Sequence, residues 1–189
     1  MVKYNYFKNL EVLSSLAEAS VKLACGSFSP KENQEFPSLR RSSDRLICDL
    51  EDALFSDFLP PLERENIAAC AHCLSRVIDQ AADLRNHGAI GGLGGKVNEE
   101  GRICLKLAHA LTESIAMLPR IRKPNETPDT EGFRALLAEG RAAHTAMLSK
   151  VRSGTLPRSA AQTIILTGKL RAELSRAFDE LVEIMLNNI

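Results

Sequence analysis

Apolar residues recur at steps of three and four along almost the whole chain, and strand-like alternation is nowhere sustained. This periodicity predicts amphipathic α-helices, because residues three and four apart share one face of a helix. Six such segments can be traced, separated by stretches rich in proline, glycine and polar residues. Their apolar stripes begin near Phe7, Leu39, Ile67, Ile103, Phe133 and Ile164. We therefore predict an all-α protein with six helices in total.

The two halves of the chain have similar sequence patterns when they are aligned with a shift of 97 positions. This shift aligns Leu59-Pro60 with Leu156-Pro157 and Ile67 with Ile164. Each half then consists of a long helix, a polar loop, a second long helix, a turn marked by proline and a third long helix. The pattern predicts two tandem three-helix bundles of long antiparallel helices. Residues 1–87 would form the first bundle and residues 97–189 the second, with 88–96 as a glycine-rich linker.

The stretch HGAIGGLGGK, residues 87–96, ends on a lysine and invites comparison with a phosphate-binding loop. A Walker-type loop needs glycine at the position of Ile90 and serine or threonine at the position of Val97. The dinucleotide-binding pattern also fails, since no strand precedes the stretch. Glycine clusters between helices more often supply backbone freedom. We therefore interpret the stretch as a joint between the two bundles.

Charge and composition narrow the classes of partner. Lysine plus arginine equals aspartate plus glutamate at 24 each, so the chain has no global field that would attract nucleic acid or acidic membranes. We see no lysine or arginine run long enough to form a local patch. No apolar run approaches the length of a membrane span, and the start lacks the features of a secretion signal. Five cysteines, an odd number, indicate reduced thiols. These features predict a cytoplasmic protein, peripheral to a membrane at most, that binds no nucleic acid.

Several residues could carry chemistry, but each has a simpler interpretation. The run Cys70–Cys73 resembles part of a zinc site, yet it lies mid-helix without a second ligand pair, which favours small buried residues. His109 and Glu113 are one turn apart and favour a solvated ion pair over metal ligation. His144 lies on an apolar stripe and is predicted to be a hydrogen-bonded interior histidine. No Ser-His spacing supports a hydrolase triad.

Two acidic pairs lie at the edges of apolar stripes, Asp79 with Asp83 and Asp179 with Glu183. Such i, i+4 carboxylates could hold a cation if a facing helix supplied more oxygens. On spacing alone, a solvated acidic edge paired with arginine is the favoured alternative.

Residues 40–85 resemble the PhoU-like phosphate-uptake regulator family, in the branch found beside low-affinity phosphate transporters. The resemblance rests on Phe58-Leu-Pro-Pro61, Glu63-Arg-Glu-Asn-Ile67 and Leu74-Ser-Arg-Val-Ile-Asp79, and the opening Tyr6–Leu10 fits as well. The second half of the chain matches loosely. The resemblance implies tandem three-helix bundles and a non-enzymatic regulatory role through contact with a phosphate transporter or signalling protein.

The family carries metal clusters on an acidic motif, with Glu and Asp four residues apart, repeated on facing helices. The carry-over makes four residues candidate metal ligands: Asp44, Asp79, Asp83 and Asp179. The motif is degenerate, because Arg40 stands where the Glu is expected and Ser75-Arg76 replace two aspartates. We expect no cofactor, with a divalent or ferric metal as the alternative. We further expect Arg40 or Arg76 to pair with Asp79 or Asp44 in place of the metal.

Four functions stay open at this stage. The first is a PhoU-like accessory protein of phosphate transport with a degenerate metal site, and the second is a PhoU-like protein with a retained cluster. The third is a helical scaffold unrelated to phosphate. A metal-dependent enzyme is the least favoured, since it needs an intact ligand set near Asp44 and Asp79 or near His144 and Asp179. The sequence leaves the oligomeric state open and is compatible with a homodimer.

Overall fold

All regular structure in the described residues is helical. The computed structural model describes residues 4–26, 35–57, 60–91, 99–120 and 127–187. These ranges contain α1 (Tyr6–Cys25), α2 (Phe36–Ser56), α3 (Arg64–Gly91), α4 (Glu99–Ile115), α5 (Thr130–Arg152) and α6 (Ala160–Asn187). A short 3-10 turn, Leu118–Arg120, follows α4. The predicted fold class is therefore confirmed.

Local sequence signals account for several helix ends. The side chain of Asn5 accepts a hydrogen bond from the Lys8 amide, and that of Asp129 accepts one from the Gly132 amide. Both are N-caps that satisfy an amide left without a partner in the first turn. After α5 the chain turns at Gly154, whose φ of 77° lies in the left-handed region that glycine tolerates best.

Helix packing is symmetric between the two halves of the chain. The most extensive interface joins α3 to α6, followed by those of α1 with α3 and with α4. Helix α2 lies against α1 and α3, while α5 lies against α4 and α6. Exchanging α1 with α4, α2 with α5 and α3 with α6 leaves this pattern of partners unchanged. The arrangement is that of two three-helix units that face each other through α1, α3, α4 and α6.

Contacts between side chains fix the helix directions. Arg76 of α3 donates a hydrogen bond to Glu173 of α6. Cys70 lies earlier in α3, and its pKa is raised in part by the charge of Glu180, which lies later in α6. These two helices are therefore antiparallel. Helices α5 and α6 are also antiparallel, and the stacked rings of Phe133 and Phe178, 3.7 Å apart, lie near the start of α5 and in the second half of α6.

One continuous apolar core receives side chains from all six helices. Helix α3 continues to Gly91 and therefore includes the first four residues of the predicted linker 88–96. The rest of the glycine-rich stretch, 92–98, lies outside the described residues. The division into units 1–87 and 97–189 stays a prediction, but the two units share their core.

None of the helices in the described ranges combines the length and the apolar character needed to cross a bilayer.

Because the core is shared, we predict that damage in one half destabilises both. Leu174 of α6 is fully buried, so Leu174→Ala should lower the free energy of unfolding by about 2–5 kcal/mol. The matched control is Leu186→Ala in the same helix, where the side chain is 69% exposed and the change should stay within about 0.5 kcal/mol.

Urea unfolding followed by two probes checks this prediction. The chain has two tyrosines, Tyr4 and Tyr6, both at the start of the first half, so tyrosine fluorescence reports on that half while far-UV circular dichroism reports on all helices. Both midpoints should shift together in Leu174→Ala. A tyrosine midpoint that stays at the wild-type value would show that the halves unfold independently.

Candidate functional site

The structure does not bring all four predicted metal ligands to one point. Asp44 of α2, Asp83 of α3 and Asp179 of α6 are exposed, and Asp79 is partly exposed. From the antiparallel register of α3 and α6, Asp179 lies about 13 Å further along the bundle than Asp79, at 1.5 Å per residue. Within the described ranges, no three histidine, cysteine or acidic side chains come together in a way that could hold a metal ion.

Arg40 of α2 forms an ion pair with Asp79 of α3. Its Nη2 lies 3.0 Å from Oδ1 of Asp79, and both side chains are about half exposed. The predicted pairing of Arg40 with Asp79 is therefore confirmed. Cations such as Zn²⁺, Mn²⁺ or Fe³⁺ need several anionic oxygens at one point, and a guanidinium there offers only donors and a fixed positive charge. The residues present do not fit a metal cluster at this position.

Arg76 pairs elsewhere than either predicted partner. Its Nε donates to Oε2 of Glu173 at 3.3 Å, and its Nη2 donates to the Cys73 sulfur at 2.8 Å. Glu173 also accepts from Arg176 at 2.7 Å, so one carboxylate joins two guanidinium groups. This cluster spans the α3–α6 interface and links the two halves of the chain.

A buried ionic cluster in the second half was not predicted. Glu100, in the first turn of α4, has a side chain with 0% exposure. One of its oxygens accepts from Nε of Arg171 on α6 and the other from Nδ1 of His144 on α5, each at 3.0 Å. Arg171 is 13% exposed and His144 23%. A buried carboxylate is tolerated only when it is paired in this way.

Two glycines make room for the cluster. A Cβ atom on Gly168 would lie 2.7 Å from the His144 ring, and one on Gly140 would lie 2.6 Å from Cδ of Arg171. Both glycines sit inside helices, where they cost about 1 kcal/mol relative to alanine. These mid-helix glycines were the signal in the sequence, because they usually mark close packing. The position of Glu100 gave no such signal, since an acidic residue in the first turn of a helix usually lies at the surface and stabilises the helix dipole.

The interpretations of the histidines agree with the structure. His144 is hydrogen-bonded inside the second half, as expected. His109 and Glu113 form an exposed ion pair at 3.5 Å, also as expected. His109 additionally reaches Glu18 of α1 at 3.3 Å. Burial would raise the pKa of Glu18, but Lys22 and His109 outweigh it, so that pKa is lowered.

The four buried thiols, among five cysteines in all, are poorly suited to nucleophilic or metal chemistry. Burial raises the pKa of Cys25 and of Cys70 to about 12, with smaller contributions from nearby acidic groups. Burial also raises the pKa of Cys73 and of Cys104. Since the thiolate is the reactive form, these four side chains behave as small apolar residues. The interpretation of Cys70 and Cys73 as buried packing residues is confirmed.

No protein-family model and no curated protein matches the chain. Solved structures do. A crystal structure of a PhoU-like protein from Shewanella oneidensis MR-1 superposes with a TM-score of 0.73 at 13% sequence identity, over 97% of this chain and 100% of that one. A second structure from the same organism, provisionally described as a PhoU-like phosphate regulatory protein, gives 0.69 at 14%, over 98% and 100%.

The chain therefore has the PhoU-like fold over almost its whole length. The predicted resemblance is confirmed at the level of the fold. The transporter-associated branch and the metal motif stay predictions, because identities this low carry the fold alone.

We predict that the carboxylate of Glu100 is a major determinant of stability. Glu100→Gln keeps the shape but leaves Arg171 buried without its counter-charge, which should cost about 3–5 kcal/mol of unfolding free energy. Glu173→Gln is the matched control. Its carboxylate also joins two cations, but both guanidinium groups are more than half exposed, so the loss should stay near or below about 1 kcal/mol. Urea unfolding of both variants measures the two losses of unfolding free energy. Equal losses would contradict the structural role of Glu100.

Proposed function

We propose that the chain is a non-enzymatic PhoU-like regulatory or accessory protein of phosphate transport. It acts through contacts that its helix surfaces make with a phosphate transporter or a signalling partner. The observation that carries this proposal is the full-length likeness to PhoU-like crystal structures, one of which is described as phosphate regulatory. We therefore propose that the chain acts by binding other proteins through its surface and not by catalysing a reaction.

The chemistry of the described side chains supports a non-catalytic role. The four buried thiols have raised pKa values through desolvation, and Glu100 has both oxygens engaged by cationic or ring N–H donors. Among the described residues, Pro60–Glu65 line a surface cleft at the start of α3. Catalytic centres usually combine a nucleophile, a base and an oxyanion donor from several elements, and one run of six consecutive residues does not offer them.

We further propose that ion pairs have replaced the metal cluster. Arg40 neutralises Asp79 across α2 and α3, and Arg76 neutralises Glu173 across α3 and α6. Two like charges about 4 Å apart repel by about 4 kcal/mol at an effective dielectric near 20. A metal cation beside Asp79 would therefore be repelled by Arg40 and would compete with it for the same carboxylate. The pairs keep the helices together at those positions without a bound ion.

Metal titration tests the replacement. Metal-free wild-type protein should bind Zn²⁺, Mn²⁺ or Fe³⁺ only substoichiometrically in calorimetry. Arg40→Glu combined with Arg76→Asp removes the competing charges and adds carboxylates beside Asp79, so it should gain a measurable divalent site. Arg134→Glu on α5 changes an exposed arginine away from the groove and should gain none. Stoichiometric binding by the wild type would contradict the replacement.

Deletion of the gene in its host tests the phosphate role. Phosphate uptake should change in the deletion strain and return with the wild-type chain. Asp79→Asn should restore uptake equally well, because an ion-paired surface carboxylate is dispensable if no metal is held there. Unchanged uptake after deletion would favour a helical scaffold unrelated to phosphate. Failure of Asp79→Asn alone would favour a retained cluster.

A further inference from the structure

The stretch from Gly140 to Ala172 contains no acidic residue. In a chain with 24 acidic and 24 basic residues, these 33 positions carry six lysines or arginines and one histidine. The basic residues are Arg141, Lys150, Arg152, Arg158, Lys169 and Arg171. The stretch comprises the second half of α5, the turn 153–159 and the first part of α6, which we call the basic hairpin.

Five of the six basic side chains in the basic hairpin point to solvent. Arg171 turns inward to Glu100, whereas the other five are exposed. The ion pairs formed among the described residues include none of these five. The sequence has no long run of lysine or arginine, and these cations instead lie on two successive helices and the turn that joins them.

The opposite end of the same two helices is acidic. Asp129 and Glu131 lie at the start of α5, while Asp179, Glu180 and Glu183 lie near the end of α6. Because α5 is 23 residues long, about 35 Å separate the two ends. This exceeds the Debye length of about 8 Å at physiological salt, so each end presents its own charge to a partner.

Helix stability explains only part of this pattern. Lys150 and Arg152 lie in the last turn of α5, where the helix dipole favours cations. Arg158 lies two residues before α6, where the same dipole disfavours a cation. Lys169 is exposed in the interior of α6, beyond the reach of either effect. The helix dipole does not stabilise the charges of Arg158 and Lys169, which suggests that they serve to bind an external partner.

We propose that the basic hairpin docks on the anionic lipid surface of a membrane. The exposed residues of the turn are small or polar, and Ile165 is the one large apolar side chain with appreciable exposure in the stretch, at 41%. Protein partners are usually held by aromatic or arginine side chains buried in shaped pockets, and this stretch offers arginines but contains no aromatic residue. Dispersed lysines and arginines instead suit a diffuse layer of lipid phosphates. The acidic far end would be repelled, which orients the molecule.

Vesicle sedimentation tests this docking with the full-length protein. Wild-type protein should bind vesicles that contain about one third phosphatidylglycerol in phosphatidylcholine, should not bind pure phosphatidylcholine, and should dissociate at high salt. Each lysine or arginine near an anionic surface contributes about five-fold to partitioning. The triple variant Lys150→Gln, Arg152→Gln, Arg158→Gln should therefore bind about one hundred-fold more weakly.

A second triple variant, Arg45→Gln, Lys106→Gln, Arg134→Gln, is the matched control. It makes the same change in net charge at exposed positions on α2, α4 and α5 outside the hairpin, so it should bind as wild type does. Far-UV circular dichroism confirms that both variants fold. An equal loss in both would overturn the proposal, because binding would then follow net charge alone. Equal binding of wild type to neutral vesicles would overturn it as well.

One further arm separates a membrane from an acidic protein. If the wild-type protein is retained on poly-glutamate resin but does not bind anionic vesicles, the proposal of membrane docking is wrong. The partner of the basic hairpin would then be an acidic protein surface. The vesicle assay uses purified protein and does not depend on the phosphate role. Vesicle binding together with unchanged phosphate uptake after gene deletion would therefore defeat the proposed function alone.

Discussion

The contact between α3 and α6 is the interaction on which the rest of the structure depends. Each three-helix unit leaves one long apolar stripe that its own helices cannot cover. On α6 this stripe includes Leu170, Leu174 and Leu181, all fully buried. Burial of apolar area is worth about 25 cal/mol per Å², so two such stripes stabilise the pair strongly when they meet. The symmetric packing of the other helices follows from this antiparallel contact.

Charged groups around this core serve to hold helices together. Glu100 ties three helices at one point through Arg171 and His144, and Glu173 joins α3 to α6 through Arg76. In both clusters a guanidinium supplies the positive charge that compensates the carboxylate. The proposed loss of metal binding therefore need not loosen the fold, because these ion pairs join the helices without a bound ion.

The likeness to PhoU-like structures and the charge distribution lead to a single description of how the molecule could act. The fold consists of long helices, whose two ends can present separate surfaces. The basic hairpin and the acidic end are such surfaces, and they differ in sign. The proposed contact with a transporter requires the protein to lie near a membrane in a defined orientation, and opposite charge at its two ends is a simple means of achieving this.

Much of the fold was determined by the sequence alone. Periodicity located six helices, the Leu-Pro repeat indicated two similar halves, and the family resemblance led to the pairing of Arg40 with Asp79. Local patterns also identified Cys70 and His144 as interior residues. These inferences succeeded because helix periodicity encodes which face of each helix is apolar, and because Arg40 and Asp79 lie on helices that are neighbours in the chain.

Only the tertiary structure decided which charges meet across distant segments. Glu100 lies 44 residues from His144 and 71 from Arg171, and Arg76 lies 97 residues from Glu173. An apolar stripe indicates that a helix face is buried but not which helix covers it, so these partners cannot be read from spacing. Burial and charge pairing are properties of the assembled bundle.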